Sequence, residues 1–402
     1  MVSSQPNTFL PLVQANPYPM YAGLRERDPV HWSEMMDAWV LTRYRDVTAV
    51  LTDSRFSADR RNSQNRFALE AARREEEFGP FGRSSTMLTS DPPEHTRLRR
   101  LVSKAFTPRM VEGLRPRIQE IVDELLDSAG KSGQMDLIGD LAYPLPVIVI
   151  AEMLGVPPED RDRFKHWSDE IVATLGGPMV PEEILQRAQG SIHALAEYVR
   201  GVIAERRAEP KEDLISRLIA AEEEGQILNE DEMLATVMLL LVAGNETTTN
   251  LIGNGTLALL RHPDKLEQLR AEPELIQTAV EELLRYDSPV QATARNALEE
   301  LEIDGRPVKV GQVVITVLGA ANRDPEQFQN PDDLTLDRKP NEHMSLGDGI
   351  HFCLGAPLAR AEGQLAIGAM LRRFPDLRLA TDEPPWGGSF ILRGLKSLPV
   401  AF

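Results

Sequence analysis

The chain contains a single cysteine, Cys353, inside the segment SLGDGIHFCLGAPLAR. Gly347 and Gly349 before it permit a tight turn that other residues resist. A helix is predicted to begin just after the cysteine, with Pro357 in its first turn, where proline is tolerated. The free N–H groups and the dipole of a helix N-terminus favour a thiolate over a thiol. The segment therefore predicts a metal-binding thiolate, although a lone cysteine is also compatible with a small buried apolar residue.

A second segment with chemical potential, AGNETTT, lies inside a long helical pattern and starts at Ala243. Gly244 costs about 1 kcal/mol relative to alanine in mid-helix, and close approach of the backbone to a flat ligand would explain it. The Thr247 hydroxyl can donate to the carbonyl of Ala243 and loosen the helix locally. Glu246 beside that hydroxyl is suited to passing protons inward. The alternative is that a threonine-rich stretch simply packs against a neighbouring element.

Two further sets of charged residues have helical spacing. Glu282 and Arg285 are three apart and can pair, which ordinarily describes a surface ion pair. His95 and Arg99 are four apart and fall within roughly 40° of each other on a helix. Roughly 140–200° away, on the opposite side of the same helix, lie other basic residues. These are Arg97, Arg100 and Lys104, and basic residues on a helix are usually just a solvated face.

In this order along the chain, the motifs resemble those of the cytochrome P450 superfamily, specifically its soluble bacterial members. Their cysteine loop reads Phe-Gly-x-Gly-x-His-x-Cys-x-Gly, and their helical motif reads Ala/Gly-Gly-x-Asp/Glu-Thr-Thr. The chain departs at Leu346, where the family usually has phenylalanine near the sulfur. That departure puts the redox tuning of the site in question, while ligation by Cys353 is still expected. The resemblance covers nearly the whole chain.

The resemblance implies a fold and a cofactor. The fold is mainly α with small β-sheets, a triangular helical prism around a buried haem b, formed by residues 1–402 as one domain. Cys353 would be the axial ligand of the haem iron, and a thiolate in that position favours O–O cleavage. Glu246 and Thr247 would be the catalytic acid and alcohol. The other haem contacts would be made by His95, Arg99, Ala243, Gly244, Arg295, His351 and Gly355.

The resemblance also assigns structural, substrate and partner roles. Glu282 and Arg285 would be buried and completed by Arg338. An apolar pocket would lie on the haem face opposite Cys353, although each of its residues could equally be ordinary core. Its candidates are Leu240, Ala243, Val290, Thr293 and Ile391, with contributions from residues 81–88, 171–181 and Phe390. Gly176, Gly177 and Pro178 could hinge a lid or form a plain turn, and Arg97, Arg100 and Lys104 could dock an acidic electron donor.

The function implied is a monooxygenase that inserts one oxygen atom from O2 into a C–H or C=C bond of a small apolar substrate. The chain has no room for a flavin or nicotinamide domain and no second cysteine for an iron–sulfur cluster. We therefore expect a separate ferredoxin-type donor and its reductase. A peroxide-driven peroxygenase is the alternative enzyme, but it could dispense with Glu246 and Thr247. A haem-binding sensor or carrier is the alternative from another class, and it would leave that pair unexplained.

Hydrophobic periodicity predicts the elements that position these residues. Val30–Glu34 and Ala38–Tyr44 are expected to form a hairpin, and Asp304–Gly305 a second hairpin turn. Residues from about 95 to 285 are expected to be mostly helical. Predicted helices are Pro108–Ala129, Pro181–Glu209, Glu230–Leu260 and Pro357–Arg373, and the segment 70–78 is expected to be a solvated loop or helix face.

The overall composition limits the classes of function. The formal net charge of −18 argues against a broad nucleic-acid or anionic-membrane surface. One cysteine allows no intramolecular disulfide, which fits a reducing, cytoplasmic setting. The longest apolar runs are about a dozen residues, too short to span a bilayer, and the first 19 residues do not resemble a signal peptide.

Overall fold

A computed structural model describes residues 15–77, 86–131, 133–176, 180–221 and 225–402. Helices predominate, as predicted. They are α1 (Tyr18–Arg27), α2 (Tyr44–Thr52), α3 (Arg66–Glu77), α4 (Glu94–Ala105), α5 (Pro108–Ala129), α6 (Pro144–Met153), α7 (Arg161–Val172), α8 (Glu182–Ala208), α9 (Leu214–Ala220), α10 (Glu230–Arg261), α11 (Pro263–Ala271), α12 (Ile276–Tyr286), α13 (Leu318–Ala321) and α14 (Ala356–Arg373).

The strands are short and form small sheets. They are β1 (Val30–Ser33), β2 (Ala38–Leu41), β3 (Phe56–Ser57), β4 (Gln134–Asp136), β5 (Thr293–Ala297), β6 (Leu301–Ile303), β7 (Arg306–Val308), β8 (Val313–Thr316), β9 (Arg378–Leu379), β10 (Trp386–Gly388), β11 (Arg393–Leu395) and β12 (Pro399–Ala401). The largest sheet has the order β1-β2-β8-β5-β3, in which only β2 and β8 are parallel. A second sheet has the order β4-β12-β9, and β6-β7 and β10-β11 are separate hairpins.

The two predicted hairpin turns are confirmed. Asp37 closes the β1–β2 hairpin with a φ of 49°, and Asp304 and Gly305 close β6–β7 with φ values of 49° and 75°. In the β6–β7 hairpin both central turn residues have positive φ, which gives a turn whose twist matches the right-handed twist of the flanking strands. The predicted strands 30–34 and 38–44 are shorter in the structure because α2 begins at Tyr44.

The long helix α10 crosses the main core and organises the site. A capping box starts it, because Asn229 Oδ1 accepts from the Glu232 N–H and the Glu232 carboxylate accepts from the Asn229 N–H. The helix is buried on nearly all sides. It packs against α6, α12, α14 and β11. Two neighbouring elements, β4 and the π-helical turn Ile138–Ala142, were not predicted from the sequence.

Three predicted features lie at least partly outside the described residues: the start of the segment 81–88, Phe78, and Gly177 with Pro178. None of the helices in the described part of the chain has the length and apolar character needed to cross a membrane.

Candidate haem-binding site

The cysteine loop is a tight turn that ends at the N-terminus of α14, as predicted. Gly347 and Gly349 adopt φ values of 74° and 66°. A Cβ atom on Gly349 would lie 2.6 Å from the carbonyl oxygen of Leu51, so only glycine fits there. The Cys353 N–H donates to the Leu346 carbonyl at 2.8 Å, which holds the two ends of the loop together. Leu346 itself packs against the main core.

Two opposing effects act on the ionisation of the sulfur. Burial raises the pKa of the Cys353 thiol, while the N–H groups of Gly355 and Ala356 and the charges of Arg99 and Arg360 lower it. The helix N-terminus does contact the sulfur, but in the polypeptide alone burial outweighs it. The helix N-terminus thus acts in the predicted direction, but its effect on the pKa is smaller than that of burial. A coordinated metal ion, which deprotonates a thiol ligand outright, would supply the difference.

A cluster of basic side chains lies next to the cysteine loop and unites three separate segments of the chain. His95 and Arg99 come from α4, Arg295 from β5 and His351 from the turn before Cys353. The imidazole centroids of His95 and His351 are 4.4 Å apart. Arg99 Nη2 donates to the Phe352 carbonyl at 2.7 Å, which links α4 directly to the loop.

The polar groups of this cluster are incompletely satisfied by the protein. His95 is 3% exposed, and in the part of the chain that the structure describes neither of its ring nitrogens has a hydrogen-bond partner. Burial and Arg295 lower the pKa of His351 to about 3, so that ring is neutral. Buried polar groups normally have partners. The buried Arg295, together with Arg99 and His95, is thus arranged to receive an anionic group.

The α10 segment presents an accessible surface in the middle of a buried helix. Ala243 is exposed and Gly244 half-buried, whereas the flanking Leu241 and Val242 are buried. Apart from the backbone of the helix itself and the two chain neighbours, no described atom lies within 4 Å of the position that a Cβ atom on Gly244 would occupy. Thr247 Oγ1 donates to the Ala243 carbonyl at 2.9 Å, the hydrogen bond expected from the sequence.

Glu246 lies next to this surface and resists ionisation. Burial and the nearby charge of Asp169 raise its pKa, whereas a hydrogen bond from Asn250 Nδ2, 3.4 Å from Glu246 Oε1, lowers it. A carboxyl group with a raised pKa can carry a proton at neutral pH more readily than an exposed one. This arrangement suits an acid that works beside the Thr247 hydroxyl.

The residues Glu282, Arg285 and Arg338 form one buried network. Arg285 donates to both carboxylate oxygens of Glu282 at 2.8 Å, and Arg338 Nε lies 3.1 and 3.0 Å from the same oxygens. The Glu282 and Arg285 side chains are completely buried. Arg285 also donates to the carbonyls of Asn322, Pro331 and Asp333. The network joins α12 to the segment that leads into the cysteine loop.

The predicted partner patch changes in one respect. Arg97 faces the start of α10, where its guanidinium pairs with Glu94 and Glu232, and only 21% of its side chain is exposed. Arg97 therefore does not belong to a free docking surface. Arg100 and Lys104, on the same helix, are exposed.

The predicted pocket residues divide into two groups. Leu240 and Ala243 lie on α10, and Val290 and Thr293 lie at the start of β5. Ile391 adjoins the second group, because its carbonyl accepts from the Gln291 N–H at 2.7 Å and Val290 bridges to Leu392. The Ile391 side chain is 38% exposed, unusual for a large apolar residue.

Comparison with known proteins identifies this arrangement. The family model for cytochrome P450 matches residues 31–386. The chain belongs to the cytochrome P450 family. It is 45% identical to the polyketide biosynthesis cytochrome P450 PksS of Bacillus subtilis over 96% of both chains. It is 44% identical to the cytochrome P450 monooxygenase PikC of Streptomyces venezuelae, over 96% of this chain and 91% of PikC.

Solved structures agree with this assignment. The structure of PksS has a TM-score of 0.89 to this P450 at 44% identity, and each chain covers 96% of the other. Myxobacterial CYP267B1, solved in complex with myristic acid, has the same TM-score at 42% identity and the same coverage. This P450 is therefore a haem b monooxygenase with the P450 fold, as its sequence predicted.

The residues of this P450 fit a haem. Cys353 would bind the iron, and the accessible surface at Ala243 and Gly244 would allow close approach of the flat macrocycle. The anion-accepting cluster of His95, Arg99, Arg295 and His351 would hold the two propionates. When bound, the haem supplies the oxygen-activating chemistry, and the polypeptide supplies orientation, burial and protons.

Sequence reasoning missed three polar residues around Glu246. Tyr143 donates a hydrogen bond to Asp169, and Asn245 donates to the Ser168 hydroxyl at 3.3 Å. Tyr143 is flanked by apolar residues in the sequence, and Asp169 lies in an ordinary amphipathic helix. No local sequence pattern therefore distinguished either residue. Tertiary packing brings Tyr143 and Asp169 to the α10 segment that carries Glu246.

Proposed function

We propose that this P450 inserts one atom of O2 into a small, mostly apolar organic substrate, with electrons from a separate ferredoxin-type donor and its reductase. We also propose that residues 1–402 act as one domain in the cytoplasm. The observation that carries the reaction type is the juxtaposition of Glu246 and Thr247 with the accessible surface at Ala243. A peroxide-driven peroxygenase could dispense with this acid–alcohol pair.

The proposed substrate class rests on the residues around the predicted pocket. Leu240, Ala243, Val290 and Ile391 are apolar, and Thr293 is the one uncharged polar member. Small-molecule pockets are usually apolar with few polar groups. The relative CYP267B1 binds myristic acid, which supports an apolar ligand.

Electron donors are expected to dock near the cysteine loop. Arg100 and Lys104 are exposed on α4, and Arg99 of the same helix contacts the carbonyl of Phe352, next to Cys353. Charge complementarity steers association and speeds encounter. An acidic ferredoxin fits such a surface even though the protein carries a net charge of −18.

Thr247→Ala, with Thr247→Ser as the control that keeps the hydroxyl, tests the reaction type. Both variants and wild type are supplied with NADPH, a plant ferredoxin and its reductase, with myristic acid as the probe. We expect Thr247→Ala to release more hydrogen peroxide per NADPH oxidised, by about tenfold, while Thr247→Ser stays near wild type. The CO-difference spectrum, which requires Cys353, reports whether the site is intact. Unchanged peroxide release in Thr247→Ala with an intact spectrum would contradict the proposed role of the pair.

A further inference from the structure

A polar cluster lies where α6, α7 and the α10 segment that carries Glu246 meet. The Tyr143 hydroxyl donates a hydrogen bond to Asp169 Oδ1. Asp169 is exposed on α7, whereas Tyr143 is half-buried at the start of α6. The pair therefore has one end in water and the other inside the protein.

The backbone holds Tyr143 in place through an unusual turn. The π-helical turn Ile138–Ala142 ends at this residue, whose N–H donates to the Ile138 carbonyl at 3.0 Å. Thr249 Oγ1, on α10, donates to the Ala142 carbonyl at 3.1 Å. Thr249 lies less than one helical turn after Glu246, so this bond anchors the turn to the same part of α10. Single π-turns are rare and frequently occur at functional sites.

Direct contacts bring the three segments together. Asn245, the residue before Glu246, donates through Nδ2 to the hydroxyl of Ser168, the residue before Asp169, at 3.3 Å. Burial raises the pKa of Tyr143 most, Asp169 and Glu246 raise it further, and Asn245 lowers it. Asp169 in turn raises the pKa of Glu246. Asn245 is 2% exposed, and among the described residues its Oδ1 has no hydrogen-bond partner, so a buried acceptor lies next to Glu246 in the chain.

The surroundings of Asp169 on α7 are charged on both sides. The Lys165 ammonium lies 4.8 Å from the centre of the Tyr143 ring, and His166 Nε2 lies 3.8 Å from Glu170 Oε1. Although Asp169 reaches solvent, partial desolvation by the surrounding protein has the largest effect and raises its pKa. The hydrogen bond from Tyr143 and the charges of Lys165 and His166 lower the pKa, and Glu170 raises it further. Across the described residues, no lysine or arginine forms an ion pair with Glu246 or Asp169. Both carboxylates are therefore available to gain and lose protons.

We propose that Asp169 and Tyr143 form the solvent end of the proton path that supplies Glu246. The Asp169 carboxylate takes a proton from bulk water and donates it to the Tyr143 oxygen. The Tyr143 hydroxyl proton then passes inward, past Asn245, to the Glu246 carboxylate. Asp169 returns to its ionised form and Tyr143 stays neutral, so the net change is one proton moved from water to Glu246. This inference rests on the proposed role of Glu246.

Tyr143→Phe and Asp169→Asn remove the two relay groups with minimal change in shape. Tyr198→Phe is the matched control, because the Tyr198 hydroxyl also donates to an aspartate of this region, Asp160, at 2.8 Å, and Glu246 is not among the charges that act on it. Glu246→Gln serves as the reference for complete loss of the acid. CO-difference spectra establish that each variant holds haem as wild type does.

The assay uses haem-loaded protein, NADPH, a plant ferredoxin and its reductase, in H2O and in D2O. Hydrogen peroxide released per NADPH oxidised reports oxygen that left before the O–O bond broke. We expect Tyr143→Phe and Asp169→Asn to raise this ratio about threefold and to increase the solvent isotope effect on it. A positioned proton donor contributes ~10²-fold or more to the rate, and losing one relay group should remove only part of that contribution. Tyr198→Phe should match wild type.

Infrared titration supplies a readout that does not depend on turnover. The carboxyl band lost in Glu246→Gln identifies Glu246, and Asp169→Asn should move its titration to lower pH, because the neighbouring negative charge is removed. The relay is overturned if Tyr143→Phe and Asp169→Asn behave like Tyr198→Phe while Glu246→Gln raises peroxide release. If Glu246→Gln also behaves like wild type, the proposed role of Glu246 fails, and the relay fails with it.

Discussion

Glu362 allows a quantitative test of how strongly this core disfavours charge. It lies on α14 and is 1% exposed. A hydrogen bond from Thr248 of α10 contacts its carboxyl group, but its Oε1 atom has no partner. Burial raises its pKa from 4.5 to about 8, so Glu362 is mostly protonated in the folded protein at neutral pH.

The sign of the stability effect follows from the two protonation equilibria. Above pH 4.5 the unfolded chain loses this proton while the folded chain keeps it until about pH 8. Rising pH through that window therefore favours unfolding. One pKa unit corresponds to about 1.4 kcal/mol, so Glu362 costs about 3–4 kcal/mol of stability between pH 5 and pH 8. For a chain of this length that is a shift of about 4 °C in the thermal midpoint.

Glu362→Gln removes the titration, and its amide nitrogen replaces an oxygen that already lacks a partner. Any packing cost of the amide is independent of pH. The thermal midpoint of the variant minus that of wild type should therefore rise by about 4 °C between pH 5 and pH 8. Thermal midpoints of the haem-loaded proteins at one scan rate measure this difference, with the exposed Glu183→Gln as control. A difference between wild type and Glu362→Gln that stays constant with pH would refute the buried, protonated state.

Two other predictions concern the scaffold and the docking surface. Glu282→Gln leaves two buried guanidinium groups without their carboxylate and should lower the free energy of unfolding by about 3–5 kcal/mol. The control is Glu299→Gln, which breaks the exposed ion pair of Glu299 with Arg55 and should lower the free energy of unfolding by under about 1 kcal/mol. Equal urea midpoints for Glu282→Gln and Glu299→Gln would contradict the buried network. Arg100→Gln should weaken binding of plant ferredoxin about twofold to fivefold at low salt. Arg97→Gln should leave that affinity unchanged because Arg97 is already paired. If calorimetric titration showed a larger loss of affinity for Arg97→Gln than for Arg100→Gln, Arg97 would belong to the docking surface after all.

Local sequence patterns predicted the secondary-structure elements well where interactions between residues close in the sequence determine them. The helix Pro108–Ala129 has the predicted bounds, because Thr107 caps it and Pro108 opens it. The turn at Asp304 and Gly305 also follows directly from residue type. The π-helical turn before Tyr143 was not predicted, and one of its contacts, the hydrogen bond from Thr249 to the Ala142 carbonyl, comes from a segment 107 residues away in the sequence.

The sequence by itself determined the family and the cofactor and predicted the central groups, because Cys353, Thr247 and Glu246 occur in motifs whose spacing is set by a single turn or helix. Tertiary structure decided what acts on those groups. Burial outweighed the effect of the helix N-terminus on the pKa of the Cys353 thiol, and Glu232 withdrew Arg97 from the surface. Asp169 came to influence Glu246 across 77 residues of sequence. Desolvation and long-range charge depend on packing between distant segments, and no local pattern records them.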